Sequence, residues 1–301
     1  MSPVSIVVAP PRRFLDRGQA RSRQTAIRST GGATAACANP ARLAAADSAR
    51  PSLGQSGSVE HGLSIPPTFV RRLRVSPARC STMTLKLYAH PFSSYCQKVL
   101  IALYENDLAF ELRLLTPDDA ETDREFTAWW PLRRMPLLRD GERNVVESSI
   151  IIEYLGQHHP GPQRLIPDDA EAALETRFLD RFFDNYVHTP LQKMVFDQLR
   201  PATERDARGV EEARRMLDTA YAWLDHKLAD RHWATGGGFS LADCAAAPAL
   251  FYADWAHPIP AAFANLVAYR QRLLARPSFA RAVDEARPYR SYFPLGAPDR
   301  D

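Results

Sequence analysis

The spacing of apolar residues along the chain changes near residue 160. Between residues 83 and 160, short apolar runs typical of strands alternate with the three- to four-residue spacing of helices, and beyond residue 168 only the helical spacing remains. The first part therefore predicts the order β-α-β-α-β-β-α, followed by a proline-rich connector at 159–167. We expect an α/β domain at 83–160 and an all-helical domain at 168–290.

A predicted strand, turn and helix form the centre of the α/β part. Residues 85–89 are an apolar run that predicts a strand, which His90-Pro91 ends because proline has no N–H to donate to a sheet. From Ser94 onward apolar residues recur at helical spacing, with Ser93 or Ser94 as the helix cap. The start of such a helix offers backbone N–H groups and a positive dipole end to an anion above it.

Ser93 and Cys96 lie at this turn in a Ser-x-x-Cys spacing. A hydroxyl or thiol held there meets a field that stabilises its anion, so both residues are candidate catalytic groups. In the alternative interpretation, Ser93 only caps the helix and Cys96 packs as a small apolar residue. We expect His90, next to the turn, to be exposed.

The remainder of the α/β part predicts a second strand, a polar helix, a hairpin and a third helix. The hairpin turns at Asp140-Gly141, and Ser148 is expected to cap the helix that follows it. The first three elements are predicted at 110–115, 117–130 and 136–147 in that order.

The helical part predicts five further helices. A break is expected in the first of them near Thr189-Pro190. Ser240 and Asp243 form a Ser-x-x-Asp capping box before an apolar helix, so we interpret Asp243 as structural rather than catalytic. The helices are predicted at about 170–200, 206–231, 239–250, 260–275 and 277–286.

The formal net charge of +3 hides a strong asymmetry. Residues 1–82 contain 12 Arg and 3 acidic residues, a balance of +9, which leaves −6 for the rest of the chain. The mildly acidic body argues against a nucleic-acid partner. No apolar run is long enough to cross a membrane, and the four cysteines have neither disulfide nor zinc-site spacing. We expect a cytoplasmic, reduced protein without a metal.

Residues 1–82 are rich in Ala, Arg, Ser, Pro and Gly and show no sustained apolar period. Such a segment buries too little apolar surface to offset its ordering entropy, so we expect it to be disordered. Its Arg and Ser content is also typical of transit peptides, but its prolines interrupt any amphipathic helix. We favour a start codon assigned too early, with Met83 as the first residue of the protein.

The order of the elements, with a proline opening the third strand, resembles the thioredoxin-like half of the glutathione transferases. The Ser-x-x-Cys turn resembles the Cys-x-x-Cys turn of thioredoxin-like and glutaredoxin domains, with the first cysteine replaced by serine. The helical part and its capping box resemble the C-terminal domain of the same family. The resemblance covers nearly all of 83–301.

Several residues match the glutathione-binding positions of that family. Met135-Pro136 matches the cis X-Pro step whose preceding backbone holds the cysteinyl part of glutathione. Glu147-Ser148 matches the pair that binds the γ-glutamyl group. Arg134 falls where the family often has Lys or Gln near the glycyl end. The chain departs from the family in the preceding loop, where Trp-Pro-Leu-Arg-Arg replaces Asn-Pro-x-Gly-Lys.

The resemblance implies a glutathione transferase with a role in detoxification. Glutathione would bind as the co-substrate with its sulfur facing Ser93, and its thiolate would attack a small, apolar electrophile. Phe92, Phe182 and Tyr186 are candidate walls for this second substrate; in the alternative interpretation they are core residues, as aromatic residues at helical spacing more often are. The resemblance also implies a homodimer.

Two other interpretations remain open. In one, Cys96 is the attacking thiol of a glutathione-dependent thiol–disulfide oxidoreductase or deglutathionylase. Cys96 holds the place of the inner glutaredoxin cysteine, which is a poor attacker without an exposed partner. In the other, the chain is a non-catalytic binding module. The presence of Ser93, Pro136, Glu147 and Ser148 argues against that.

Overall fold

The structure is a computed structural model of the chain and describes residues 84–301. The predictions made for residues 1–82 lie outside the described residues.

The described chain begins with strands and helices in alternation and continues as helices alone. The first part consists of β1 (Leu85–Ala89), α1 (Ser94–Glu105), β2 (Phe110–Leu114), α2 (Ala120–Trp129), β3 (Leu137–Asp140), β4 (Arg143–Val146) and α3 (Ser148–His158). The second part consists of α4 (Ala170–Phe182), a π-helical segment (Phe183–His188), α5 (Thr189–Gln198), α6 (Ala207–Lys227), α7 (Leu241–Ala256), α8 (Ala264–Ala275) and α9 (Pro277–Ala286), with 3₁₀ turns at Ala202–Glu204 and Arg287–Tyr292.

The strands form one sheet in the order β2-β1-β3-β4. The β1–β2 pair is parallel and is connected through α1, whereas β3 is antiparallel to both β1 and β4. A mixed four-stranded sheet with helices, followed by a helical domain, is the predicted fold class. That prediction is confirmed.

Two helices carry much of the core. In α1 every residue from Cys96 to Leu103 is buried, because this helix packs on α3 on one side and on α7 and α9 on the other. Helix α7 is buried from Leu241 to Trp255 and is mostly apolar, as expected of a central helix. Burial of α1 between the two parts of the chain fixes the position of the turn at its start.

The capping box predicted at the start of α7 is confirmed. Asp243 Oδ2 accepts hydrogen bonds from the backbone N–H and the hydroxyl of Ser240, both at 2.9 Å. Its Oδ1 accepts from the Ala234 N–H at 2.9 Å and from the Tyr269 hydroxyl at 2.7 Å. All these partners belong to the helical core, which agrees with a structural role.

Two predictions about helix ends are wrong. Ser148 does not cap α3: it is the first helical residue, and Glu147 holds the cap position with a left-handed φ of 69°. The helical path does not break at Thr189-Pro190 either, because the π-helical segment connects α4 to α5 without interruption. Pro190 falls in the first turn of α5, where helices tolerate a residue without an N–H.

Some predicted bounds also differ. Strand β3 begins at Leu137, one residue late, because Pro136 cannot donate to the ladder. Helix α7 continues to Ala256, beyond the predicted end, although it contains Pro248. Helix α8 begins only at Ala264. Within the described residues, no helix has both the length and the apolar character needed to cross a membrane.

Candidate active site

The strand register brings three connecting segments to one edge of the sheet. Tyr88 of β1 is paired with Leu137 of β3, which is paired in turn with Val146 of β4. Because both pairs are antiparallel, the end of β1, the start of β3 and the end of β4 lie side by side. The segments attached to these strand ends therefore meet at this edge, namely the turn 90–93, the step 135–136 and the pair 147–148.

His90 anchors the turn between β1 and α1. The sequence interpretation of His90 as exposed is wrong, because its side chain is fully buried. Its Nδ1 accepts the Phe92 N–H at 3.1 Å, its carbonyl accepts the Ser93 N–H at 3.0 Å, and its ring meets the Tyr289 ring edge-on at 4.5 Å. Burial lowers the pKa of His90 to about 4, so the imidazole is neutral near pH 7. The turn therefore holds the start of α1 in one fixed conformation.

The two residues of the Ser-x-x-Cys spacing have different surroundings. Ser93 is the N-cap of α1, is half-buried, and its hydroxyl makes no capping hydrogen bond. Cys96 has no exposed surface. Burial raises the pKa of the Cys96 thiol to about 11, although the Ser93 side chain and the His90 backbone favour its anion. The hydroxyl is thus at the mouth of the site and the thiol is in the core.

The peptide bond between Met135 and Pro136 is cis, as the family resemblance implied. Pro136 is buried at the start of β3, and Met135 is partly buried. Arg134 is exposed beside them. The neighbouring Arg133 has a left-handed φ of 53°, and its guanidinium bonds the Asp123 carboxylate of α2 at 2.5 Å. The backbone of Met135 and the side chain of Arg134 therefore lie at the edge where the three segments meet.

Glu147 and Ser148 lie at the start of α3. A left-handed φ at a residue other than glycine costs about 1 kcal/mol or more, and such strain is concentrated at functional sites. The Glu147 carbonyl accepts the Ile151 N–H at 2.8 Å, so the strained residue also starts the hydrogen bonds of α3. Its side chain is exposed, whereas Ser148 is buried. This helix start can receive a carboxylate, and Glu147 can receive an ammonium group.

A buried ionic cluster lies behind this edge, and the sequence did not reveal it. Lys98 Nζ of α1 lies 2.5 Å from Asp180 Oδ1, 2.9 Å from Asp184 Oδ2 and 2.9 Å from Ser149 Oγ. Arg181, which is half exposed, covers the cluster and bonds Asp184 Oδ2 at 2.6 Å. Burial raises the pKa of Asp184, with Lys98 acting in the opposite direction. The cluster connects α1 and α3 to the helical part.

A second contact that the sequence did not reveal joins Ser94 to His188. Ser94 is the first residue of α1, and its hydroxyl is in close contact with Nε2 of His188, the last residue of the π-helical segment. The ring of His188 lies 4.3 Å from that of Tyr95. Burial, together with the charge of Lys98, lowers the pKa of His188 to about 3, so this imidazole is neutral as well. The Ser94 hydroxyl is therefore a second hydroxyl beside Ser93, and a residue of the helical part contacts it.

The three aromatic residues predicted to line the second-substrate pocket fall into two groups. Phe92 packs edge-on against Tyr252 of α7 at 5.3 Å. Phe182 stacks on Trp223 of α6 at 4.3 Å and contacts Tyr186 at 5.2 Å. Phe92 is the member of the set that is next to Ser93 in the chain. Within the described residues, no group of three or more His, Cys, Asp or Glu side chains is arranged to hold a metal ion.

Comparison with known proteins gives matches along most of the described chain. Residues 87–163 match the family model "Glutathione S-transferase, N-terminal domain", and residues 182–277 match "Glutathione S-transferase, C-terminal domain". Glutathione S-transferase GstB of Escherichia coli K12 is 27% identical over 66% of this chain and 97% of its own length. The "Probable maleylacetoacetate isomerase" of Vibrio cholerae is 31% identical over 68% of this chain and 98% of its own length.

A solved structure shows the same similarity. A glutathione S-transferase from Methylobacterium radiotolerans, in complex with glutathione sulfonate, is 32% identical to this chain, with a TM-score of 0.59. The superposition covers 66% of this chain and 94% of that one.

Proposed function

Because the chain belongs to the glutathione S-transferase superfamily, we propose that it is a glutathione transferase that uses the convergence of three segments at one sheet edge. The observation that carries the proposal is that convergence itself. The register of β1, β3 and β4 gathers a helix start with hydroxyls, a cis-proline step and a strained Glu-Ser helix start at the same place. Each of the three offers what one part of glutathione requires.

The proposed binding mode follows from the polarity of each segment. The γ-glutamyl α-carboxylate is bound at the start of α3 by Ser148 and its N–H, and the α-ammonium pairs with Glu147. The cysteinyl backbone bonds to that of Met135, which the cis bond to Pro136 presents. The glycyl carboxylate pairs with Arg134. This places the sulfur at the start of α1, near Ser93.

The proposed chemistry is addition of the glutathione sulfur to an electrophilic carbon. A free thiol has a pKa of about 8.5, so little of it is ionised at neutral pH. The Ser93 hydroxyl and the dipole of α1 stabilise the thiolate, and the thiol proton leaves to solvent. A sulfur electron pair then forms the bond to carbon, while the electrophile's π electrons or its leaving group accept the displaced pair. A small, apolar electrophile of this kind agrees with a role in detoxification.

The surroundings of Cys96 support this chemistry over the oxidoreductase alternative. A buried thiol whose pKa is raised to about 11 has almost no thiolate at neutral pH, and it cannot reach a disulfide without an opening of α1. The strain at Glu147 supports a ligand site over a non-catalytic module that has lost glutathione.

We also propose a homodimer that forms through an apolar surface on α4 and α6. Large apolar side chains are exposed there on adjacent turns, and Phe178 meets Trp223 edge-on at 6.0 Å. A patch of this kind is typical of a protein interface. The exposed members are Leu174, Phe178, Met216 and Trp223. Light scattering should give the mass of a dimer, and replacement of Phe178 by Glu should give that of a monomer; a wild-type monomer contradicts the proposal.

The proposed location is the cytoplasm. Cys96 and Cys244, the cysteines in the described part of the chain, are free thiols, which agrees with a reducing compartment. Cell fractionation with an antibody against the chain tests this, and recovery from another compartment contradicts it.

The proposed function is tested by binding and turnover together. Calorimetry should detect glutathione and S-methylglutathione, but not cysteinylglycine, which lacks the γ-glutamyl group. Ser148→Ala should weaken the binding of both tripeptides, whereas Ser291→Ala, a serine of the C-terminal 3₁₀ turn, should not. Turnover is then measured with an activated aryl halide, with an epoxide and with maleylacetoacetate, the compound in the name of the Vibrio relative. Absence of glutathione binding overturns the proposal.

A further inference from the structure

Two side-chain contacts, which we call rungs, join α1 to the π-helical segment. Ser94 contacts His188, and Lys98 binds Asp184. The order of the contacts is reversed between the two elements, so the elements run antiparallel. In each element the two residues are four positions apart, so both contacts lie on one face of each element. The Lys98 rung is almost completely buried, which fixes the rotation of the segment and directs His188 at Ser94.

The hydrogen-bonding state of His188 follows from its surroundings. The side chain is 4% exposed, and its Nδ1 is buried without a hydrogen-bond partner in the described residues. A neutral imidazole carries its hydrogen on one nitrogen only. A buried N–H without a partner is rarer than a buried acceptor without one, which favours hydrogen on Nε2 of His188. In that tautomer His188 Nε2–H donates to Ser94 Oγ.

We propose that His188 is a positioning residue, which donates to Ser94 Oγ and thereby directs the Ser94 hydroxyl hydrogen at the glutathione sulfur, beside that of Ser93. This inference rests on the proposed function. A hydroxyl whose oxygen already accepts one hydrogen bond is a stronger donor, and its remaining hydrogen points away from the imidazole. The thiolate is therefore stabilised by two hydroxyls, and His188 of the helical part orients one of them.

Burial keeps the His188 imidazole neutral by lowering its pKa, and the charge of Lys98 acts in the same direction. Lys98 and Arg181 are cationic, and Asp180 and Asp184 are anionic, so the ionic cluster is close to balance. Tyr95, on the remaining side, has its pKa raised by burial and stays protonated. His188 consequently acts as a fixed dipole and not as a proton acceptor.

The test is the pKa of the bound glutathione thiol, measured from the ultraviolet absorbance of the thiolate as the pH is varied. His188→Phe keeps the ring and removes the N–H, and it should raise this pKa by about one unit, a roughly tenfold shift toward the thiol. Ser94→Ala should raise it equally, and the double variant should raise it no further. His188→Gln, whose amide N–H reaches the position of Nε2, should restore most of the lowering. Affinity for S-methylglutathione, which has no ionisable thiol, should stay within threefold in every variant.

The outcomes separate this inference from the proposed function. If the wild-type protein does not bind S-methylglutathione, the proposed function and this inference both fail. If it binds and lowers the thiol pKa, but His188→Phe leaves that pKa unchanged, the inference alone is overturned. Nitrogen NMR of the unsubstituted protein gives an independent result, because the ring shifts of His188 should report hydrogen on Nε2. Hydrogen on Nδ1 contradicts the proposal, even where a variant does not fold.

Discussion

At the scale of single residues, Ser93 and Cys96 differ more than their separation of three residues suggests. Ser93 lies at the open end of α1, and Cys96 lies one turn inside the core. Replacing Ser93 by Ala removes a charge-assisted hydrogen bond to the thiolate, worth about 1.5–3 kcal/mol. Turnover at neutral pH should fall roughly 10- to 150-fold, with a smaller change in glutathione affinity. Steady-state kinetics with glutathione and an activated aryl halide measure both.

Cys96→Ala is the matched control for that experiment. It removes a buried thiol that faces the core, so turnover should stay within a few-fold while the free energy of unfolding falls. The prediction that Ser93 matters more than Cys96 is wrong if Cys96→Ala abolishes activity on a glutathionyl mixed disulfide and Ser93→Ala has no effect. The protein would then be a thiol oxidoreductase.

The lowered pKa of His90 predicts how the stability of the protein depends on pH. Its pKa is about 4 in the folded chain, against 6.5 for a free histidine, so the unfolded state binds more protons between these values. The free energy of unfolding should therefore fall as the pH drops from about 6.5 to about 4, with a slope of up to about 1.4 kcal/mol per unit from this group.

His90→Asn isolates this contribution, because the Asn carbonyl oxygen can still accept the Phe92 N–H. The acid slope in urea denaturation should become shallower in this variant. His226→Asn, the same substitution at an exposed histidine, is the matched control. Identical slopes for His90→Asn and the wild-type protein contradict the assignment.

Sequence patterns could indicate those candidate site residues whose proposed role depends on their immediate neighbours. Ser93 before a helix, Pro136 before a strand and Glu147 before the next helix are each visible as local patterns. The Ser94–His188 and Lys98–Asp184 contacts join residues that are 94 and 86 positions apart. No local pattern specifies such a pair, since it depends on the packing of two helices from different parts of the chain.

At the scale of elements, α1 depends on the ionic cluster for its place against the helical part. Lys98→Met leaves two buried carboxylates with the half-exposed Arg181 as their remaining cation, and removing one partner of a buried ion pair costs about 3–5 kcal/mol. Urea denaturation should show that loss at pH 7. Since burial raises the pKa of Asp184, the variant should regain stability as the pH falls and the carboxylate takes up a proton.

Two comparisons make the Lys98 prediction specific. Lys86→Met removes a half-exposed lysine of β1 that lies 3.8 Å from Glu111, and it should cost less than about 1 kcal/mol. Combining Lys98→Met with Asp180→Asn and Asp184→Asn removes the unpaired charges and should recover much of the loss. A Lys98→Met protein as stable as Lys86→Met contradicts the role assigned to the cluster.

The predicted secondary structure was most accurate where apolar spacing and capping agreed, as in α1 and at the start of α7. It was wrong at Thr189-Pro190, because a proline indicates that an N–H is absent but not how the backbone adapts. Here the chain adapts by the wider hydrogen bonding of the π-helical segment, in which the Asp184 carbonyl accepts from Thr189. The same segment contacts α1 through His188 and Asp184, and contacts of this kind lie outside any local window.

At the scale of the whole molecule, side chains from both predicted domains form one hydrophobic core in the described part of the chain. Helix α1 packs on α7 and α9, so neither part can bury its apolar surface alone. We predict that a shortened chain beginning at Met83 keeps the melting temperature, the glutathione affinity and the turnover of the full chain. Calorimetry and kinetics on both chains check this, and a shortened chain that is insoluble or melts far lower shows that residues 1–82 belong to the fold.

The π-helical segment also limits how this chain can change in length. Each residue added to or removed from a helical segment rotates everything beyond it, by about 100° in α-helical geometry and somewhat less in a π-helix. The loss of one residue between Asp184 and His188 would turn the imidazole away from Ser94 while Lys98 still held Asp184. The gain or loss of one residue before Asp184 would instead rotate both Asp184 and His188 relative to α4. Natural variants of this chain should therefore tolerate insertions and deletions in the loops around residues 200–206 and 229–239, but not within these six residues.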